Sequence, residues 1–298
     1  MQLEGVKIEN TFAEAFPMWV GRLIITADSP WLALQAAEAA TGLAFSIIGC
    51  GCEAGIEGNV PMSETPDGRP GVAALLFSYS PEKLEEHLLL RIGQAVLPSA
   101  TSACFNGLAA ERMAKVGAKL RYFANGFQSS KLLGDKRYWR IPVADGEFVV
   151  EESFGIGKGV GGGNLIILGV ERERVLAAAE AAGSAIRKIR GAIAPFPGGV
   201  CRSPSKPGSK YKEVRASTND AYCSTLRTRV PTQLRPDEQC AYEIVIDGIT
   251  EQVVRTAMRE GIKAACLPGV SRITAGNYGG KWGPYHLYLH KLLKEGKA

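Results

Sequence analysis

The 298-residue sequence lacks the features of a membrane or secreted protein. No apolar run approaches the roughly 20 residues that a bilayer-spanning helix needs. The N-terminus, MQLEGVKIEN, lacks the basic and apolar regions of a signal peptide. Seven cysteines, an odd number without a CxxC pair, favour reduced thiols over a disulfide framework. We therefore expect a cytoplasmic protein that does not contact a membrane.

Signals for metals and nucleotides are equally sparse. Two of the three histidines, His286 and His290, lie four residues apart in a predicted amphipathic C-terminal helix. No Glu follows His286 as a zinc-protease motif requires, so we expect no metal. Gly157, Gly159 and Gly162 form a GxGxxG, but a strand is predicted after it, where a dinucleotide site needs a helix N-terminus. Basic residues do not interleave with aromatic ones, so a nucleic-acid partner is not expected.

The order strand, helix, strand, long loop, strand, helix, strand occurs twice along the chain. In the first half we predict strands at 22–27, 45–48 and 72–79, a helix from Trp31 to Thr41 and a second helix from Pro81. Less regular short strands are predicted at 119–123, 138–143 and 147–150. In the second half we predict strands at 165–170, 241–247 and 270–274 and helices at 171–189 and 250–266. The pattern indicates an α+β fold of two ferredoxin-like (split βαβ) α/β sandwich lobes, residues 1–150 and 151–298.

A long segment from Glu53 to Gly71 is predicted to join two strands of the first lobe. It carries Thr65, Asp67 and Arg69 and three prolines that fix its backbone. Connections of this length inside a compact domain are uncommon and are often binding or lid loops. The alternative is a solvated linker whose charged side chains have no function or only hold the shape of the loop through internal salt bridges.

Basic residues cluster in a second loop although the net charge of +5 is mild. They are Arg202, Lys206, Lys210, Lys212 and Arg215, in a Pro/Ser/Gly-rich segment. The segment is either a solvated loop or a landing area for an acidic ligand.

Several motifs together resemble the formylmethanofuran:tetrahydromethanopterin formyltransferase family. They are NTFAEAF (10–16), EAGIE (53–57), SETPDGRPG (63–71), WRIP (139–142), FPGG (196–199), ASTN (216–219), YEIVIDG (242–248) and AGNYGG (275–280). The resemblance implies a two-lobed α+β protein that forms a dimer or tetramer and holds no metal or prosthetic group. In the bacterial branch it also implies a complex with formylmethanofuran hydrolase-like subunits.

The resemblance implies exchange of a formyl group between the amine of methanofuran and N5 of tetrahydromethanopterin, both carriers acting as substrates. A formamide is a poor electrophile whose amine leaves only when protonated, so the enzyme needs a proton donor. Strand alternation places Tyr242, Ile244 and Ile246 on one face and Glu243 on the other. The match at YEIVIDG implies that Glu243 is the catalytic acid, and the alternative is a solvated strand acid.

The resemblance also suggests residues that contact the substrates. The predicted substrate-binding residues are Glu53, Thr65, Asp67, Arg69, Gly162, Gly163, Asn164, Asn277 and Tyr278, and those for the methanofuran tail are Lys206, Lys210 and Lys212. Turn formation and internal salt bridges are the alternatives for these residues. Two other functions remain open: a non-catalytic ligand-binding or scaffold protein, and a hydrolase that releases formate directly.

Overall fold

The computed structural model describes residues 1–202 and 205–295. The strands are β1 (Gln2–Leu3), β2 (Val6–Ile8), β3 (Phe12–Thr26), β4 (Glu53–Val60), β5 (Gly71–Ser78), β6 (Ala103–Asn106), β7 (Arg112–Ala114), β8 (Ser129–Leu133), β9 (Lys136–Val143), β10 (Gly146–Glu151), β11 (Phe154–Gly169), β12 (Ala192–Ile193), β13 (Ser205–Pro207), β14 (Ala216–Thr218), β15 (Cys240–Gly248), β16 (Val270–Thr274) and β17 (Tyr285–Tyr288). The helices are α1 (Pro30–Thr41), α2 (Ile47–Cys50), α3 (Pro81–Arg91), α4 (Val116–Leu120), α5 (Arg172–Ile186), α6 (Glu251–Ala265) and α7 (Leu289–Lys294). The fold is therefore mixed α/β, and its large sheet combines parallel and antiparallel neighbours.

Residues Met18–Gly159 form one compact unit. Its strands follow the order β4-β5-β3-β6, all antiparallel, and β10, β9 and β8 extend the sheet beyond β6. Strand β10 runs parallel to β6. Along the chain, helix α1 lies between β3 and β4, and helix α3 lies between β5 and β6.

Capping and apolar spacing explain why the two helices of this unit form where they do. The hydroxyl of Ser29 accepts a hydrogen bond from the amide of Leu32 at 3.2 Å, and that of Ser80 accepts one from Lys83 at 3.2 Å. A proline occupies the first turn of each helix, where a missing N–H costs nothing. The core-facing residues are Ala33, Ala36, Ala37 and Ala40 of α1 and Leu84 and Leu88 of α3.

The second compact unit comprises Met1–Pro17 and the chain from Val160 onward. Strand β11 lies between β15 and β16, both antiparallel to it, and β12 pairs with β15. On the other side β16 runs parallel to β2. Helices α5 and α6 pack on one face of this sheet, where Leu165, Ile167, Ile244 and Ile246 are part of the buried core.

Two predicted strands are wrong. Residues 45–48 do not form the second strand: Ile47–Cys50 is a short helix, and the second strand is Glu53–Val60, which had been predicted as part of the long loop. Gly58 lies at a register shift in this strand. The glycines of the strand are more typical of a loop, and for that reason the sequence predicted a loop here. Residues 119–123 are helical rather than extended.

The predicted C-terminal helix is also wrong in part. His286 lies in strand β17, directly opposite Glu14, and His290 lies in the short helix α7. The two side chains therefore do not share a helix face. Among the described residues, no helix is long and apolar enough to cross a membrane.

Candidate active site

Glu243 is held in the middle of β15 by both of its neighbours. Its backbone exchanges hydrogen bonds of 2.7 and 3.0 Å with Cys201 on one side, and on the other it lies opposite Ile166 of β11. Ile166 packs with Leu168 and Leu234, away from the helix-covered core. Ile244 is buried in that core, as the alternation predicts. The half-buried Glu243 therefore lies on the sheet face opposite α5 and α6.

Two tyrosines lie within electrostatic reach of Glu243. Burial raises the pKa of Tyr222, and the negative charges of Glu243 and Glu238 act in the same direction against the opposing effect of Arg272. Burial also raises the pKa of Tyr278, and Glu243 again adds to the shift. Both phenols therefore keep their protons at neutral pH and can donate hydrogen bonds.

The AGNYGG segment follows directly after a residue in the same row of the sheet as Glu243. Thr274, at the end of β16, lies opposite Ile166, which itself lies opposite Glu243. The side-chain amide of Asn164 then fixes the next turn: its oxygen accepts from the Gly276 amide at 2.6 Å and its nitrogen donates to the Gly276 carbonyl at 3.1 Å. Asn164 thus connects β11 to the segment that carries Tyr278.

The amide of Asn277 is also used inside the protein. Its nitrogen donates to the hydroxyl of Thr11 at 3.2 Å and to the carbonyl of Phe12 at 3.1 Å, and its oxygen accepts from the Gly279 amide at 3.1 Å. The structure therefore gives Asn164 and Asn277 positioning contacts. Their predicted contact with a substrate stays a prediction.

The two glycines predicted at the site have different surroundings. Gly162 has φ 81° and its amide donates to the buried carboxylate of Asp247 at 3.0 Å. A Cβ at Gly163 would lie 2.5 Å from a methyl group of Val254 in α6, so this glycine permits close packing against the core helix. Both lie at the register shift between β11 and β15.

Glu14, which the sequence motifs did not single out as a site residue, organises the segment beyond Asn277. Its side chain is 1% exposed, and its carboxylate accepts hydrogen bonds from the backbone amides of Tyr278 at 2.7 Å, Gly280 at 2.9 Å, Trp282 at 2.5 Å and Gly283 at 2.6 Å. Burial alone would raise the pKa of Glu14, but these four donors outweigh it and the pKa is lowered. Because the partners are more than 260 residues apart, no local pattern reveals this contact.

A buried ion pair between Glu238 and Arg272, which the sequence patterns did not reveal, fixes the chain around Leu234 on the sheet face of Glu243. Glu238, which is fully buried, accepts from Nε of Arg272 at 2.7 Å and from Nη2 at 2.9 Å. The carboxylate also accepts from the Ser271 hydroxyl at 2.7 Å and the Arg235 amide at 2.9 Å. These contacts fix the segment that places Leu234 over the apolar row next to Glu243.

The predicted site residues of the Glu53–Gly71 segment belong to the other unit, and Arg69 contacts both Thr65 and Asp67. Arg69 donates from Nε to Asp67 at 2.9 Å and from Nη1 to Asp28 at 2.9 Å, and the hydroxyl of Thr26 donates to Asp67 at 2.7 Å. This network of charges shapes residues 61–70, the true loop. Internal salt bridges are the alternative to substrate contact for these residues, and the predicted contact stays a prediction.

Thr65 and Glu53 are likewise engaged within this unit. The hydroxyl of Thr65 lies 2.9 Å from the carbonyl of Met62 and 2.8 Å from that of Arg69, so it closes the loop. A carboxylate oxygen of Glu53 accepts from the amide of Ile47 at 2.9 Å. It thereby caps the short helix α2.

The basic segment from 202 to 215 contains β13, which pairs with β14 in a small hairpin. Lys206 lies in β13 and donates to Asp220 at 2.6 Å, whereas Lys210 and Lys212 are exposed. Residues 203–204 of this segment lie outside the described residues. Arg202 and Arg215 of the segment are exposed as well, and the predicted contact of its cations with an acidic ligand stays a prediction.

The described residues contain no group of three or more His, Cys, Asp or Glu side chains placed to hold a metal ion. Burial raises the pKa of the Cys266 thiol to about 11, so it is not a nucleophile at neutral pH. The face around Glu243 contains this half-buried carboxyl group and the apolar residues Ile166, Leu168 and Leu234, against which Tyr222 packs. Carboxyl and phenol groups are of the types that transfer protons and donate hydrogen bonds.

Two family models cover most of the chain. Residues 1–143 match the model described as formylmethanofuran-tetrahydromethanopterin formyltransferase, and residues 146–292 match its proximal lobe. A formyltransferase of that name from Methylococcus capsulatus is 52% identical over 98% of this chain and all of its own length. A component of the formyltransferase/hydrolase complex from Methylorubrum extorquens is 46% identical, covering 99% of this chain and 98% of its own.

Two solved structures agree with these matches. The formyltransferase from Methanosarcina barkeri superposes with a TM-score of 0.93 at 46% identity, covering 98% of this chain and all of its own. The formyltransferase/hydrolase complex from Methylorubrum extorquens, solved with methylofuran, contains a chain with a TM-score of 0.95 at 47% identity, covering 98% of both chains. The chain therefore belongs to the formylmethanofuran–tetrahydromethanopterin formyltransferase family.

Proposed function

We propose that the protein transfers a formyl group between the primary amine of methanofuran and N5 of tetrahydromethanopterin. The observation that carries the proposal is the family match, which extends over both halves of the chain at up to 52% identity with named formyltransferases. The carriers bind as substrates and leave as products. Because both ends of the reaction are formamide-like, the exchange is close to reversible.

Glu243 is the proposed general acid. In the direction toward the pterin, the neutral N5 amine attacks the formyl carbon of formylmethanofuran. The C–N bond to methanofuran then breaks as Glu243 gives a proton to the departing nitrogen, and the proton released from N5 restores the carboxylic acid. The protonated phenols of Tyr222 and Tyr278 are available to donate to the developing oxyanion. The half-buried position of Glu243, opposite the helix-covered face, supports this assignment.

The two compact units support the predicted ferredoxin-like lobes. In one unit the βαββαβ order has the strand arrangement β4-β5-β3-β6, and in the other the corresponding arrangement is β12-β15-β11-β16. Both correspond to the order 2-3-1-4 of a split βαβ sandwich. We infer two related lobes, and a boundary near residue 150 stays a prediction.

We also propose that the chain assembles with hydrolase-like subunits and with copies of itself. The support is its similarity to a chain of the formyltransferase/hydrolase complex from Methylorubrum extorquens. Size-exclusion chromatography of the protein alone and with such subunits tests both associations.

Formyl transfer is tested with purified protein, formylmethanofuran and tetrahydromethanopterin. We expect formation of N5-formyltetrahydromethanopterin and release of free methanofuran amine in equal amounts. Formate released without the pterin would instead indicate a hydrolase. Binding of both carriers without turnover would indicate the scaffold alternative.

A further inference from the structure

The Glu14 carboxylate lies at the centre of the loop formed by residues 278–283 and accepts hydrogen bonds from its backbone. Its four backbone donors come from residues 278–283, and the sequence there permits them to converge. Gly279 and Gly280 adopt φ 73° and 71°, which turn the chain around the carboxylate. A Cβ at Gly283 would lie 2.3 Å from the carbonyl oxygen of Ala15, so only glycine fits there.

The loop displays two aromatic rings in a stacked pair. Tyr278 and Trp282 have ring centroids 4.8 Å apart and an interplanar angle of 19°. Tyr278 is 38% exposed and Trp282 is 60% exposed. Burial of large aromatic side chains contributes strongly to binding free energy, so an exposed pair can gain from covering by a ligand. Phe16 supports Tyr278 from within the same unit, with ring centroids 6.2 Å apart. The outer surface of the pair is therefore a flat aromatic platform open to solvent.

The platform follows, along the chain, a strand that lies in the same sheet as the proposed proton donor. Tyr278 follows Thr274 by four residues, and Thr274 lies in the row of the sheet that contains Glu243. The charge of Glu243 helps to raise the pKa of Tyr278, which places the two groups within electrostatic reach.

We propose that Glu14 is a positioning residue that holds the stacked Tyr278–Trp282 pair as a binding surface for the flat aromatic ring of a one-carbon carrier. The inference rests on the proposed formyl transfer and assigns part of its substrate binding. A buried carboxylate that receives four N–H donors is costly to replace, because every alternative side chain leaves some of those donors unpaired. The loop keeps one conformation before the carrier arrives, which lowers the entropic cost of binding.

The test compares Trp282→Ala, Glu14→Gln and the double variant, with KM measured separately for each carrier. Glutamine retains one acceptor oxygen and turns an NH2 group toward two of the donors. We expect Trp282→Ala to raise the KM for one carrier roughly tenfold, with kcat changed much less. Glu14→Gln should raise the same KM, and the double variant should fall well short of the product of the two effects.

Glu57→Gln is the matched control for a lost buried carboxylate. Glu57 is 7% exposed and bound to Arg22 through two hydrogen bonds of 2.6 and 2.8 Å, within the other unit. We expect it to lower the melting temperature and leave both KM values unchanged. The carrier whose KM responds to Trp282→Ala, pterin or furan, identifies the ring that stacks.

Unchanged KM values for both carriers in Trp282→Ala and Glu14→Gln, in a protein that transfers formyl groups, would overturn the inference. Multiplicative effects in the double variant would overturn the positioning role of Glu14. If the wild type transfers no formyl group, the proposed function fails. Titration of tryptophan fluorescence with tetrahydromethanopterin and with methanofuran then decides whether the aromatic platform binds either carrier. Saturable quenching by either carrier that disappears in Trp282→Phe supports the platform, and its absence with both overturns it.

Discussion

The Glu238–Arg272 pair gives a quantitative test of how the face around Glu243 is held. Glu238→Ala removes both charge-assisted bonds to Arg272, whose side chain is only 8% exposed. Removing one partner of a buried ion pair costs about 3–5 kcal/mol. Because Glu9 lies 3.8 Å from Nη1 of Arg272 and is partly exposed, it offsets some of the loss. We therefore expect the lower end, about 3 kcal/mol.

Urea unfolding followed by tryptophan fluorescence measures this loss through the shift of the midpoint. The matched control is Glu86→Gln, which breaks an exposed pair with Lys83 in which both side chains are 63% exposed, and which should cost less than about 0.5 kcal/mol. Replacing Glu238 and Arg272 together by Leu and Met should restore much of the stability, because no charge is then left unpaired. A Glu238→Ala protein within about 1 kcal/mol of the control would refute the argument.

The remaining predictions concern charge, pH and metals. Neutralising Lys206, Lys210 and Lys212 should raise the KM for methanofuran and leave kcat nearly unchanged, with an effect that shrinks as salt is added. The exposed Lys210 and Lys212 should account for most of it, because Lys206 already pairs with Asp220; an unchanged KM at low salt would contradict this role. Glu14 has a lowered pKa in the folded state, so its contribution to stability is present above the ordinary glutamate pKa of about 4.3 and is lost as pH falls further. Glu14→Gln should therefore flatten the acid limb of the stability profile, and an unchanged limb would argue against it. Exhaustive chelation should leave the transfer rate unchanged, and a loss restored by added metal would overturn the metal-free mechanism.

Local sequence signals predicted the repeated strand–helix–strand order. The Ser29-Pro30 and Ser80-Pro81 caps marked two helix starts correctly because capping depends on neighbouring residues alone. The alternation of strand β15 placed Ile244 and Ile246 in the core for the same reason. Strand β4 was missed because its glycines and acids resemble a loop until β5 pairs with it.

The site was predicted less completely than the fold. Glu243 could be proposed from one strand and a family motif, but the contacts that surround it join distant parts of the chain. Glu14 meets its donors more than 260 residues away, and Arg272 meets Glu238 across 34 residues. Such contacts follow from the tertiary arrangement, which a single sequence without aligned relatives does not reveal.

The most direct test of the central claim is the transfer rate of Glu243→Gln. The amide keeps the shape of the side chain but has no acidic proton, so we expect a protein with normal stability and a kcat lowered roughly 100-fold or more. Glu251→Gln, a partly exposed change in the neighbouring helix, should keep the full rate. A Glu243→Gln enzyme with wild-type kinetics would contradict the assignment of Glu243 as the proton donor.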